Sequence, residues 1–186
     1  MDDVLAAAFA AHPREHFLPE AARSRADHDG PIQIGHGQTC SQPRTVAAML
    51  ELLDVRPGQR VLDVGSGSGW TTALLAHLVG PGGTVLGVEI EPELVAVGSA
   101  NLSGEDLPWA TIRRPGPGVL GAPEQGPFDR ILVSADPGHL PQALVGQLAE
   151  DGRMVIPVGS WLTLVELVGG TVRTSRHGPY RFVPLR

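Results

Sequence analysis

The feature that most constrains the fold is a glycine-rich turn between an apolar segment and a helical one. Residues 61–64 read Val-Leu-Asp-Val, residues 65–69 read Gly-Ser-Gly-Ser-Gly, and residues 70–79 carry apolar side chains at helical spacing. Glycines at such a turn let a ligand approach the backbone closely, and the free N–H groups of the helix start point towards it. The pattern predicts the strand, turn and helix that begin a nucleotide-binding α/β domain.

Strands and helices continue to alternate after this turn. The sequence predicts helices at 91–102 and 140–149 and strands at 84–89, 111–113, 128–133, 153–157, 162–168 and 180–183. We expect an α/β fold with a mostly parallel sheet, helices on both faces and an antiparallel edge formed by the consecutive strands near the C-terminus.

The first part of the chain has a different pattern. Residues 1–26 predict short helical pieces that are broken at Pro13 and Pro19, residues 27–43 predict a long loop, and residues 44–55 predict a helix. Loops of this length inside a compact domain usually carry function. The loop is therefore a candidate for substrate binding.

The length of 186 residues suits a single domain. We expect one domain over residues 1–186, in which residues 1–57 supply the N-terminal helices and the substrate loop and residues 58–186 supply a Rossmann-like core. A single cysteine, Cys40, cannot form an internal disulfide, which favours a cytoplasmic protein. We favour a monomer.

Composition argues against two classes of partner. The chain has 20 acidic and 14 basic residues and a formal charge of −6, without a clustered basic face, so we expect no nucleic acid. No apolar stretch reaches the roughly 18 residues of a membrane span, so we expect no membrane. The apolar run at residues 4–11 follows acidic residues, which predicts a helix rather than an export signal.

A carboxylate that suits an adenosine ribose follows at the end of the second core strand. Glu89 lies twenty residues after Gly69, and an acid at that place can accept hydrogen bonds from both ribose hydroxyls. The glycines recur as G-x-G-x-G and Trp70 follows them, which favours a ligand without a pyrophosphate, such as S-adenosylmethionine. Two questions stay open. The glycines and Glu89 could instead form a tight turn followed by a solvated acid that binds no ligand. Asp63 either orders the turn or binds buried backbone N–H groups.

Several segments, in order along most of the chain, carry a resemblance to a known family. The most specific is residues 34–43, Ile-Gly-His-Gly-Gln-Thr-Cys-Ser-Gln-Pro, followed by residues 46–53. Further matching segments are residues 13–17, 61–69, 121, 128–133, 140–144, 147–148, 152–159 and 181–185. Together they resemble the protein-L-isoaspartate O-methyltransferases.

The resemblance implies a Rossmann-like, class I S-adenosylmethionine-dependent methyltransferase. In this family the methyl group goes to the free α-carboxylate of an L-isoaspartyl residue in a damaged protein or peptide, and the ester then collapses to a succinimide that reopens partly to normal aspartate. Carried over by position, Ser41 is the active-site serine and Glu89 binds the ribose. The resemblance further implies cofactor contacts at Thr39, Asp63, Gly65, Ser66, Gly67, Gly69, Ile90 and Gly118, and substrate contacts at Ile34, His36, Val158 and Gly159.

The role expected of Ser41 needs no catalytic base. A substrate carboxylate is already ionised near neutral pH, so the protein need only orient it. We expect Ser41 to donate a hydrogen bond to that carboxylate rather than to act as a covalent nucleophile, because no Ser-His-acid pattern accompanies it. An N-cap role before the 44–55 helix is the alternative. Cys40 is expected to be a small buried group, and His36 has no second ligand at metal-binding spacing, so we expect no metal.

Three features depart from the family pattern. The family usually has Gly-Asp-Gly where residues 116–118 read Gly-Pro-Gly, which removes a carboxylate and a backbone N–H. Asp136 adds an acid near the expected substrate mouth, and the N-terminal helical region is shorter than in typical members. These departures leave two alternatives: a paralogue that esterifies aspartate in one dedicated peptide, and a non-catalytic module that binds adenosyl ligands. Trp161 either walls the substrate pocket or packs under the last hairpin.

Overall fold

The computed structural model describes residues 3–186, so residues 1 and 2 of the predicted domain lie outside the described residues. Its helices are α1 (Asp3–Ala11), α2 (Pro43–Leu53), α3 (Trp70–Val79), α4 (Pro92–Ser103) and α5 (Gln142–Val145). A small hairpin consists of β1 (Ile32–Gly35) and β2 (Gln38–Cys40). The remaining strands are β3 (Arg60–Val64), β4 (Thr84–Val88), β5 (Ala110–Arg113), β6 (Phe128–Val133), β7 (Leu148–Val158), β8 (Trp161–Val168) and β9 (Thr171–Pro179).

The central sheet has seven strands in the order β5-β4-β3-β6-β7-β8-β9. Pairing is parallel from β5 to β7 and antiparallel between β7, β8 and β9. The predicted mostly parallel sheet with an antiparallel C-terminal edge is confirmed. The order in which the chain adds strands reverses at β3: β4 and β5 lie on one side of it, and β6 and the later strands lie on the other. Ligands of such sheets bind at the carboxyl ends of the strands beside this reversal.

Apolar side chains alternate between the two faces of the sheet, as the period of a strand requires. Val61 and Leu132 point to one face, where they pack with α1 to α4. Leu62 and Ile131 point to the other face, where they pack with Leu144 of α5. Helices therefore lie on both faces, but the second face has only a helix of four residues and connecting loops.

The N-terminal region folds as short pieces. Helix α1 is followed by two 3₁₀ turns at Arg14–Phe17 and Glu20–Arg25, with Pro13 and Pro19 at their starts. These prolines break the helical pattern where the sequence predicts it. Among residues 3–186 no helix combines the length and the apolar character that crossing a membrane requires.

Three predicted elements differ from the observed ones. The loop predicted at 27–43 contains the hairpin β1–β2, whose short strands lack a run of apolar residues. The helix predicted at 140–149 ends after four residues, at Gly146, and β7 begins at Leu148. The strand predicted at 180–183 is wrong: the last strand, β9, ends at Pro179. Strand β9 is exposed along almost its whole length, so no apolar alternation marks it in the sequence.

Candidate active site

A cavity of about 750 Å³ opens at the carboxyl ends of β3, β4 and β6, beside the reversal of strand order. The glycine turn after β3 forms its floor. Its walls come from the β1–β2 hairpin, the β4–α4 connection, residues 114–121, residues 134–137 and residues 183–186. A cavity at this place in a parallel sheet is the expected ligand site.

The glycines of the turn serve two purposes. Gly65 and Gly67 line the cavity with Ser66. At Gly67, where φ is +53°, a Cβ atom would lie 3.2 Å from Ile34 of the hairpin. Gly69 does not line the cavity: a Cβ atom there would lie 3.0 Å from the carbonyl oxygen of Gly98 in α4. The third glycine of the turn thus lets α3 and α4 approach closely.

Asp63 lies behind the turn rather than in the cavity. Its side chain is fully buried, and its Oδ2 accepts hydrogen bonds from the hydroxyls of Thr71 at 2.7 Å and Thr72 at 2.8 Å. Burial raises the pKa of Asp63 to about 6, although the two threonine hydroxyls oppose the shift. Of the two roles that the sequence left open, ordering the turn fits best, because Asp63 ties β3 to the first turn of α3.

Glu89 is held rigidly at the cavity wall. Its side chain is 7% exposed, and its Oε2 accepts the N–H of Gly67 at 2.9 Å. Its Oε1 accepts the N–H groups of Ile90 at 2.8 Å and Glu91 at 3.1 Å. Oε2 keeps a free lone pair, because a carboxylate oxygen can accept about two hydrogen bonds, whereas Oε1 already accepts two and a further ligand hydroxyl would have to share it. Glu89 and the half-exposed Ile90 both line the cavity, so this carboxylate is preorganised to accept a diol.

Two hydroxyls inside the cavity wall have no partner. The Oγ atoms of Ser66 and Ser134 are buried, and neither has a hydrogen-bond partner among residues 3–186. Buried polar atoms of this kind need a partner, and both residues line the cavity. Sequence patterns did not assign Ser134 to the site, because its place beside the glycine turn depends on β6 pairing with β3.

Residues 114–121 form one wall of the cavity, and this wall contains no acidic residue. Pro115, Pro117, Val119 and Leu120 line it together with Gly118, where φ is +68°. Arg114 of the same segment also lines the cavity, so this wall has no carboxylate and is apolar apart from the arginine. An apolar wall suits the flat face of a purine.

Ser41 lies at the cavity between β2 and α2. It is half-buried, and its hydroxyl makes no hydrogen bond within the described part of the chain. The N-cap of α2 is Gln42, and no side chain caps that helix, so the alternative N-cap role of Ser41 is wrong. Thr39 and Ile34 of the hairpin line the same cavity. The hydroxyl of Ser41 is therefore free to donate to a ligand.

Cys40 is buried beside Ser41, with its side chain 5% exposed. Burial raises the pKa of its thiol, and the nearby Arg14 opposes the shift. A thiol with a raised pKa is a poor nucleophile near neutral pH. The expectation of a small buried group at this position fits the structure.

His36, Val158 and Gly159, which the sequence assigned to substrate binding, do not line the cavity. His36 is exposed at the tip of the hairpin, with φ of +55°. Although the sequence spacing offered it no ligand partners, its ring nitrogen lies within 4.8 Å of carboxylate oxygens of Glu91 and Glu93. Arg186 Nη1 donates to Glu91 Oε1 at 2.9 Å. Glu91 is therefore already paired with a cation.

Asp136 does not line the cavity, and its carboxylate binds backbone N–H groups instead. Its carboxylate accepts the N–H groups of Gly138, Gly159 and Ser160 at 2.7 to 3.1 Å. Burial alone raises the pKa of Asp136, but the three N–H groups outweigh it and hold the pKa below its usual value. Through its backbone, Asp136 also ties the 183–186 segment to the cavity.

Trp161 does not line the cavity either. It is exposed in β8, and the guanidinium of Arg176 in β9 lies 5.8 Å from its ring centroid. The sequence left open whether Trp161 lines the substrate pocket or packs at the last hairpin, and the structure places it at the hairpin.

Comparison with known proteins gives a family match over the whole chain. The family model for protein-L-isoaspartate(D-aspartate) O-methyltransferase (PCMT) matches residues 1–186. The protein-L-isoaspartate O-methyltransferase of Methanopyrus kandleri is 47% identical over 178 residues, which cover 93% of this chain and 79% of that protein. The protein of the same description from Methanocella arvoryzae is 44% identical over 178 residues, which cover 93% of each chain.

Solved structures give the same result. The PCMT of Plasmodium falciparum, crystallised in complex with S-adenosyl-L-homocysteine, superposes with a TM-score of 0.89 at 29% identity and covers 100% of this chain and 91% of that one. TrmN of Thermus thermophilus superposes with a TM-score of 0.53 at 22% identity, over 73% of this chain and 48% of that one. The second match shows a likeness of fold alone.

Proposed function

Because the chain belongs to the protein-L-isoaspartate(D-aspartate) O-methyltransferase family, we propose that it methylates L-isoaspartyl residues in damaged proteins or peptides, with Ser41 as its active-site serine. It is a methyltransferase that uses S-adenosylmethionine. The observation that carries the proposal is one cavity in which two unlike groups meet: the preorganised carboxylate of Glu89 and the unengaged hydroxyl of Ser41. The ester that results opens the way to repair, because it collapses spontaneously to a succinimide.

The residues of the cavity fit the cofactor. Glu89 would accept the ribose hydroxyls, and the apolar segment at 114–121 would cover the adenine. The unpartnered hydroxyls of Ser66 and Ser134 would bind the amino-acid end, while Gly65, Gly67, Thr39, Ile90 and Gly118 would form the remaining wall. When bound, S-adenosylmethionine supplies a methyl group on a positively charged sulfur. Asp63 and Gly69 do not line the cavity and would contribute only by fixing the conformation of the glycine turn.

Ser41 would orient the carboxylate that receives the methyl group. A carboxylate oxygen forms a bond to the methyl carbon as the bond between that carbon and sulfur breaks, so the negative carboxylate and the positive sulfonium give a neutral ester and a neutral thioether. No proton moves, which is why no general base is required. A hydrogen bond from the Ser41 hydroxyl to the second carboxylate oxygen would hold the first one in line with the methyl group.

Positioning is the main contribution that these residues can make. Holding two reactants in an aligned near-attack geometry is worth roughly 7–11 kcal/mol. The hairpin side of the cavity is lined by Ile34 and Cys40 and by the polar Gln38, Thr39 and Ser41. Such a wall removes water from the carboxylate as it enters and lets the few polar groups present fix its direction.

The same proposal covers the setting in which the protein works. We propose a cytoplasmic monomer that acts on peptide and protein substrates without nucleic acid, built as one domain over residues 1–186 with its substrate segment in residues 1–57 and its core in residues 58–186. A lone buried cysteine and a net charge of −6 support these points. Of the residues assigned to the substrate, Ile34 lines the cavity, whereas His36, Val158 and Gly159 do not.

The test is a methyl-transfer assay with two matched peptides. The protein is incubated with methyl-labelled S-adenosylmethionine and with one peptide in its isoaspartyl and its aspartyl forms, and base-labile label is counted. We expect label on the isoaspartyl peptide and none above background on the aspartyl peptide. Equal labelling of both would indicate a different carboxyl acceptor. No labelling, together with no calorimetric binding of S-adenosylhomocysteine, would reduce the protein to a non-catalytic module.

A further inference from the structure

An arginine outside the cavity holds the segment that leads to Ser41. Arg14, in the first 3₁₀ turn, is 5% exposed. Its Nη1 donates to the carbonyl oxygens of Ala26 at 3.3 Å and His28 at 2.9 Å. Its Nη2 donates to those of Gly30 at 2.8 Å and Cys40 at 2.9 Å. One guanidinium thus donates hydrogen bonds to four backbone carbonyls, which lie at both ends of the segment 26–40.

This arginine is buried without a carboxylate. None of the ion pairs recorded among residues 3–186 includes Arg14. A buried cation without a counter-ion costs free energy, which its hydrogen bonds must offset. The backbone dipoles of four carbonyls, together with the ring of Trp70 5.5 Å below the guanidinium, supply that compensation. A residue that only fills space would not need to be a buried cation with this set of contacts.

The contacts of Arg14 lead directly to the reaction site. The carbonyl that Nη2 binds in Cys40 belongs to the peptide bond that joins Cys40 to Ser41. Trp70, which lies under the guanidinium, lines the cavity, and its indole N–H donates to the carbonyl oxygen of His12 at 3.0 Å. A shift of the guanidinium would therefore move the peptide before Ser41.

We propose that Arg14 is a positioning residue for methyl transfer, which fixes the peptide that carries Ser41 and so the direction of the Ser41 hydroxyl. The proposal rests on the proposed function. Lysine cannot replace the arginine, because an ammonium is a single point with three donors and cannot span four carbonyls as a planar fork does. The segment 26–40 would then lose part of its anchoring while the glycine turn stays intact.

The experiment compares Arg14→Lys with Arg130→Lys. Arg130 is a matched control, because it is 8% exposed and also donates to backbone carbonyls, those of Asp54 at 3.1 Å and Asp129 at 2.8 Å, but does not line the cavity. Both variants should lose thermal stability. Only Arg14→Lys should lower kcat on the isoaspartyl peptide, by about 10- to 100-fold, with the Kd for S-adenosylhomocysteine within about threefold of wild type. Arg14→Gln serves in its place if the lysine variant does not fold.

A double-mutant cycle separates positioning from general destabilisation. If Arg14 acts through Ser41, Arg14→Lys should cost less than about threefold in kcat when Ser41→Ala is already present. The proposal is overturned if folded Arg14→Lys keeps the wild-type kcat, if its loss is the same in the Ser41→Ala background, or if the Arg130→Lys control loses as much. Failure of the proposed function is distinguishable, because the wild-type protein would then methylate no isoaspartyl peptide at all.

Discussion

Two walls of one cavity are held in place by different means. The cofactor wall (residues 63–70 and 88–91) is part of the parallel sheet: the N–H of Gly65 donates to Val88 at 2.8 Å, and the N–H of Ser134 donates to Val64 at 2.9 Å. The substrate wall (residues 26–41) is a two-stranded hairpin with its flanking chain, which Arg14 gathers. The first wall is part of the central sheet, while the second lies outside that sheet and is held by the buried side chains of its hairpin and by Arg14. Mutations should therefore separate cofactor binding from turnover.

The largest effect is expected on the cofactor wall. Glu89→Ala removes the carboxylate that would accept both ribose hydroxyls and leaves the N–H of Gly67 without its acceptor. Two hydrogen bonds to a charged group are worth about 3–6 kcal/mol, so the Kd for S-adenosylhomocysteine should rise by about 100-fold or more in calorimetry. Glu93→Ala is the control, because Glu93 is an exposed acid nearby that does not line the cavity. A Kd within threefold of wild type for Glu89→Ala would remove Glu89 from the cofactor site.

A substitution in the substrate wall should lower turnover and leave cofactor binding almost unchanged. Ser41→Ala should lower kcat/KM for the isoaspartyl peptide by about 10- to 100-fold, since a hydrogen bond to a charged group contributes about 1.5–3 kcal/mol. The Kd for S-adenosylhomocysteine should stay within about twofold. Ser103→Ala, at an exposed serine of α4, should change neither value. If Ser41→Ala abolished cofactor binding, the separation of the two walls would be wrong.

The buried carboxyl group of Asp63 should make the free energy of unfolding depend on pH. The pKa of Asp63 is about 6 in the folded protein and near 3.9 in an unfolded chain. The folded state therefore binds more protons between pH 4 and 6, so the contribution of Asp63 to stability is full below about pH 4 and is lost as pH rises through about 6. Relative to Asp63→Asn, wild type should lose up to about 3 kcal/mol of unfolding free energy between pH 4 and 7.

Urea unfolding of both proteins at several pH values measures this difference. The difference should be flat above about pH 7, where Asp63 is ionised in both states. Asp106→Asn, at an exposed acid, should show no such change. A difference between wild type and Asp63→Asn that does not vary with pH would mean that Asp63 is not a buried titrating group.

The smallest effect is expected from the exposed ion pair at the substrate wall. Arg44 binds Asp29 there, and both side chains are largely solvent-exposed. Water and salt weaken such a pair, so Arg44→Ala should leave the unfolding midpoint unchanged within error and kcat within about twofold. A loss of kcat as large as that of Arg14→Lys would show that charge in general, rather than the buried guanidinium, holds this wall.

The cofactor wall could be predicted closely from the sequence, and the substrate wall could not. The strand at Phe128–Val133 and the helix at Trp70–Val79 have the predicted bounds, because apolar periodicity and flanking glycines reflect burial in the core. In the hairpin β1–β2 this signal is too short to predict a strand, because its apolar alternation is limited to Ile32 and Ile34. The four carbonyls that Arg14 binds lie 12 to 26 residues along the chain, and carbonyls carry no sequence signature.

The site residues divide in the same way. Glu89 and Gly67 follow a known spacing after a strand, and both line the cavity. His36, assigned to substrate, does not line the cavity and lies near Glu91 and Glu93, at a hairpin tip where its φ is +55°. Ser134 was missed because its role depends on β6 lying beside β3, which follows from the strand order and not from local sequence.

The most direct test is a crystal structure of the protein with S-adenosylhomocysteine and an isoaspartyl peptide. The ribose hydroxyls should lie within hydrogen-bond distance of the Glu89 carboxylate, and the isoaspartyl α-carboxylate should lie about 3 Å from the Ser41 Oγ, with its other oxygen towards the sulfur. A peptide carboxylate bound away from Ser41, or a nucleoside bound away from Glu89, would contradict the account.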